Sequence, residues 1–118
     1  MQVLDLVNRS RAADGLPTPR RNVQLEVKAD AWARRLRDRC RLSHSVLAAG
    51  APDNWNKLGE NVGFAGSIGE VHRAFLGSPG HRANILDRAF THVGSAAVWG
   101  TCQGQRRVFV VTVYMQEM

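Results

Sequence analysis

Apolar residues recur along this chain in two rhythms, one helical and one extended, and the points of change mark its elements. In "VLDLVNRSRAADG", Val3, Leu6 and Val7 share a helical stripe that stops at Asp14-Gly15. Pro17 and Pro19 then force an extended passage. Asn22 caps a second helix whose apolar face is Leu25, Ala29, Trp32, Leu36 and Cys40. Its polar face holds Lys28, Arg34, Arg35, Arg37, Arg39 and Arg41. "APDNWNKLG" reads as a loop and "LGENVGFAG" as a short extended segment. Ser67 and Glu70 form a capping box that opens a helix with Ile68, Val71 and Phe75 on one side, halted at Gly77. Ser78 and Pro79 suit the N-cap and first position of a further short helix, "PGHRANIL". Strands are predicted over 92–99 and 107–115, joined by the hairpin connection "GTCQGQR". The unbroken apolar run Val108 to Val111 predicts a strand covered on both faces. The elements therefore assemble as one α-β-α sandwich spanning residues 1–118.

Composition narrows this picture. With 118 residues, 44% of them hydrophobic, the chain can bury one core and is not a disordered segment. It has no run of about 18 apolar residues, so no membrane-spanning helix is expected. The N-terminus opens in a helical pattern, and no signal peptide is read within the chain. A formal net charge of +6 favours acidic partners: nucleic acid, anionic lipid or an acidic wall polymer. The stripe from Arg34 to Arg41 lacks interleaved aromatic residues, so it reads as a solvated helix face and nucleic acid is not expected as a partner. Cys40 and Cys102 fit either one disulfide in an oxidising compartment or two buried thiols, and spacing does not choose between them.

Candidate chemistry rests on three residues. His81 lies in the first turn of its helix, where the helix dipole and adjacent Arg82 disfavour an imidazolium. A neutral ring can accept a hydrogen bond or bind a metal. His44 lies in the turn "RLSHS", and Glu60 lies in "LGENVG". Two histidines and a carboxylate are a common ligand set for zinc or another divalent metal with an open position, including in hydrolytic sites. Their separations match no local metal motif. Glu70 is accounted for by its capping box, His72 is expected on the exposed side of its helix, and His92 is read as structural. Ser43 and Ser45 flank His44, but no nucleophile elbow accompanies them.

These segments together resemble the CAP superfamily of cysteine-rich secretory, antigen 5 and pathogenesis-related proteins, in its small bacterial form. "LDLVNRSRAADGLPTPRRNVQLEVKADAWA" is similar to the opening helix pair, "LSHS" to the first-histidine motif and "LGENVG" to the G-E-N motif. "AFLGSPGHRANILDRAFTHVGSAAV" is similar to the signature that holds the second histidine. The resemblance implies a three-layer sandwich with a central antiparallel sheet, and convergence of His44, Glu60 and His81 on one open cavity able to hold zinc. It also implies secretion, a Cys40–Cys102 disulfide, a monomer, a supporting role for Asn61, and lipid, sterol or cell-envelope ligands. A metal-dependent hydrolase using the same three residues is the alternative. The sequence departs from the family pattern in three respects: the second cavity glutamate of many eukaryotic members falls near Ser78, Phe75 stands where tryptophan is common, and the cysteine-rich extension is absent.

Overall fold

A computed structural model describes residues 2–118. The order is α1 (Gln2–Ala13), β1 (Arg20–Arg21), α2 (Val23–Arg39), β2 (Trp55–Ala65), α3 (Ile68–Leu76), α4 (Pro79–Ile85), β3 (His92–Cys102) and β4 (Gln105–Glu117). The sheet runs β1-β3-β4-β2. Its three long strands are antiparallel, and the two-residue β1, which periodicity is too short to detect, pairs parallel to β3.

β4 explains the three layers. Successive strand residues face opposite ways. Phe109, Val111, Val113 and Met115 meet Leu25, Ala29, Ala33 and Leu36 of α2. Val108, Val110 and Tyr114 meet Val3, Leu4 and Val7 of α1, Val71 and Phe75 of α3, and Ile85 of α4. One helix therefore covers one face and three cover the other, as the apolar run at Val108 requires. α2 approaches closely: a Cβ added at Gly94 of β3 would lie 2.3 Å from the backbone of Leu25 and Glu26.

Local chemistry sets the boundaries. Asn22 accepts a hydrogen bond from the Leu25 amide at 2.9 Å, and Ser67 accepts one from the Glu70 amide at 3.2 Å. Ser78 stands at the N-cap of α4 without a side-chain cap bond, so its role there is positional. The β3–β4 turn is Gln103-Gly104, both at positive φ, a two-residue hairpin that lets the strands run longer than 92–99 and 107–115. β2 also starts earlier than expected: residues 55–58, placed in a loop by their polar composition, pair with the end of β4. As an edge strand β2 can leave such residues in solvent.

Cys40, in the left-handed C-cap of α2, is disulfide-bonded to Cys102 at the end of β3. The bond spans 62 residues and contributes about 4 kcal/mol on a chain-entropy account. His72 is buried, not exposed: its Nε2 lies 2.8 Å from Ser10 Oγ across the α1–α3 contact.

Candidate functional site

The site forms at the β2 edge, where two adjacent residues turn to opposite faces. Glu60 shares the α2 face with Leu58 and Val62, while Asn61 turns toward α4. Both are buried.

On the α2 face, the loop after the helix brings His44 and Ser45 onto Glu60. Its Oε1 lies 2.9 Å from His44 Nδ1 and accepts the Ser45 amide at 2.9 Å. Its Oε2 accepts the Ser45 hydroxyl at 2.5 Å. The Glu60 side chain is fully enclosed, whereas that of His44 is 59% exposed. Behind them stands Lys28, whose ammonium donates to Ser45 Oγ at 3.0 Å, Val46 O at 3.0 Å and Ala49 O at 2.7 Å. Burial lowers the Lys28 pKa, and the Glu60 carboxylate opposes that shift. Charge alone groups Lys28 with the exposed arginines, but the chain buries it. The signal that could have found it is its place three residues after Leu25 and four before Trp32, on the inward side of the helix.

On the other face, Asn61 Nδ2 donates to the His81 carbonyl at 3.0 Å, and Asn84 Nδ2 donates to Asn61 Oδ1 at 2.9 Å and to Glu60 O at 3.3 Å. α4 is thus tied to β2 through backbone and amides, with Asn61 in the supporting role expected of it. His81 is half-buried and packs against Phe75, ring centroids 5.0 Å apart. Burial lowers its pKa first, and proximity to His44 adds to the shift. Both effects favour the uncharged imidazole, the direction expected from its place in the first turn of α4.

The fold therefore sets His44 directly on Glu60, and His44 is the second cause, after burial, of the lowered His81 pKa. Among the described residues no group of three His, Cys, Asp or Glu side chains stands in metal-holding geometry. Glu60 lies behind His44, with both oxygens committed. Ser45 serves Glu60 and does not pair with the imidazole.

Beside this site, α2 and residues 45–50 enclose an open groove of about 470 Å³, lined by Val27, Ala31, Trp32, Val46 and Ala49. The Arg35 guanidinium lies over the Trp32 ring, 5.9 Å from its centroid.

Residues 4–115 match the family described as CAP: Cysteine-rich secretory protein family. The protein YkwD of Bacillus subtilis is 30% identical over 112 residues, covering 83% of this chain and 44% of that relative. The chain thus spans less than half the length of the relative. Among solved structures, an outer surface protein of Borrelia burgdorferi superposes with a TM-score of 0.83 at 15% identity, covering 98% of this chain and 90% of that one. An extracellular protein of Bacillus anthracis containing an SCP domain gives a TM-score of 0.77 at 25% identity, covering 98% of this chain and 39% of that one.

Proposed function

This chain belongs to the CAP, or cysteine-rich secretory protein, family, and from that premise we propose that it is an extracellular binding domain. Its two imidazoles, His44 and His81, hold a divalent metal such as zinc. Glu60 acts through His44, as a carboxylate behind a metal-binding imidazole. When bound, the metal supplies positive charge and open coordination positions for an acidic or oxygen-bearing ligand. The apolar groove and the arginines of α2 suit an amphipathic, anionic partner such as a lipid or acidic envelope component. As expected from the chain's composition, no helix among the described residues is long and apolar enough to cross a membrane.

One observation favours binding over hydrolysis: both oxygens of Glu60 are engaged by Ser45 and His44. A general base must reach the proton it removes, and this carboxylate is turned inward.

Calorimetric titration with zinc tests the reading. Wild-type protein is expected to bind zinc, His81→Ala to lose the binding, and wild-type affinity to fade below about pH 6 as the imidazoles protonate. Unchanged zinc binding in His81→Ala overturns the assignment. Turnover of a peptide library that a chelator abolishes would establish the hydrolase instead. Sedimentation with anionic vesicles, weakening as salt rises, tests the groove and its arginines.

A further inference from the structure

We propose that the disulfide-linked end of the molecule is a docking surface for an anionic lipid bilayer. The inference rests on the reading of an anionic, lipid-type partner. It moves the contact from the groove to a second surface, built by the end of α2 and the β3–β4 hairpin.

Charge is gathered at this end. Residues 30–41 and 106–107 hold seven arginines against only Asp30 and Asp38, which is five of the net positive charges in a chain that totals +6. The remainder of the chain is therefore close to neutral. Two independent ties bring the segments together. Cys40 is bonded to Cys102, with Cα atoms 5.6 Å apart. One turn earlier the Arg37 stem lies over Gly100, where an added Cβ would stand 2.5 Å from Arg37 Cγ. Across the hairpin, Gly100 pairs with Arg107 and Thr101 with Arg106. Arg39 and Arg41 flank Cys40 and are exposed, lining with Ser43 an open cavity of about 410 Å³. Arg34 and Arg37 are paired with Asp30 and Asp38. Arg39, Arg41, Arg106 and Arg107 make no ion pair among the described residues.

Like charges held close by a covalent bond repel one another, and an anionic partner relieves that repulsion. Aromatic rings at the same end select the kind of anion. Trp99 is exposed opposite Val108, with the Arg106 guanidinium 4.6 Å from its ring centroid. Phe64, one sheet row away and next to the last residue of β2, is exposed and stacks on Phe109. A soluble polyanion is held by charge and leaves such rings in water. A bilayer supplies phosphates for the guanidiniums and a less polar layer for the rings. Trp99 and Arg106 lie on one face of the sheet, Phe64 and Arg107 on the other. The end of the sheet, and not either face, therefore meets the lipid.

The test is cosedimentation of the disulfide-bonded protein with vesicles of phosphatidylcholine, alone or mixed with phosphatidylglycerol. Wild type should pellet with the mixed vesicles and stay in solution with the neutral ones. One arginine at an anionic surface is worth about fivefold in affinity. Arg39→Gln with Arg41→Gln, and Arg106→Gln with Arg107→Gln, should therefore each weaken binding about thirtyfold, although the two pairs lie on different elements. Their denaturant midpoints should equal or exceed that of the wild type, because repulsion is relieved. Val46→Ser, in the groove, should leave vesicle binding unchanged. Trp99→Ser should weaken binding to vesicles and leave binding to soluble inorganic polyphosphate as it is in the wild type. Vesicle binding that survives in both arginine pairs overturns the proposal, and a fall in Val46→Ser then returns the partner to the groove. Absence of wild-type binding to either vesicle overturns the proposal and the lipid reading together. Vesicle binding that is indifferent to Trp99→Ser and displaced by polyphosphate overturns the bilayer and gives the surface to a soluble polyanion.

Discussion

The two faces of the sheet hold their histidines by different means. On the α2 face a single long helix presses on β3 through Gly94, and His44 is held by its ring, through Nδ1 and a buried carboxylate. On the other face three shorter helices share the cover, and His81 is held by its backbone, with its ring left to packing against Phe75. The first arrangement specifies ring orientation through a side-chain bond; the second specifies position through the backbone, and enclosure lowers the ring's pKa. A pair built this way combines an outward imidazole oriented by a carboxylate with a half-buried one placed by its backbone.

The largest expected effect comes from breaking the α2 side at its closest approach. Gly94→Ala forces a methyl group against backbone atoms that no rotamer can move. It should cost about 3 kcal/mol or more in a denaturant titration, at the upper end of overpacking. The equivalent break on the α4 side is Asn61→Ala, which strips the His81 carbonyl and the Asn84 amide of a buried partner. A loss of about 2–3 kcal/mol is expected. If it leaves zinc affinity at the wild-type value, backbone anchoring does not position His81.

Glu60→Gln sharpens the contrast at smaller scale. It replaces one acceptor oxygen with a donor amide and removes the charge facing His44. Zinc affinity should fall about tenfold, with a stability change well below that of Gly94→Ala. The smallest effect concerns pH. Burial lowers the pKa of both His72 and His81, which lie on the three-helix face. The unfolded chain therefore takes up these protons first as the medium acidifies. Stability rises with pH, falls as the pH drops through about 6.5, and levels off once the folded rings also protonate. His72→Gln should flatten that fall in denaturant midpoints, and an unaltered slope would show that this ring is not one of its sources.

Much of the fold is legible because the core follows period. The run at Val108, the caps at Asn22 and Ser67 and the stop at Asp14-Gly15 all speak through local rules. Pattern alone reads β2 too short because edge strands tolerate polar residues, so alternation gives no warning. It misplaces Lys28 and His72 for a shared reason: a polar side chain is buried when distant groups satisfy it, and its neighbours in sequence do not announce them. The carbonyls that receive Lys28 lie about 20 residues away, and Ser10 lies 62 residues from His72. At the site, the residues name the participants, while the roles of Glu60 and Ser45 depend on hydrogen-bond directions that only the folded loop defines.

The covalent link between Cys40 and Cys102 encloses the exposed segment 46–50, β2, α3 and α4 within one closed ring. A protease that nicks that segment opens the ring without releasing either piece. The clipped molecule should keep its full mass on a gel until a reductant is added, and then separate into two fragments. In surroundings rich in digestive enzymes, such a chain survives a first cut as one body, with both imidazole-bearing halves still joined.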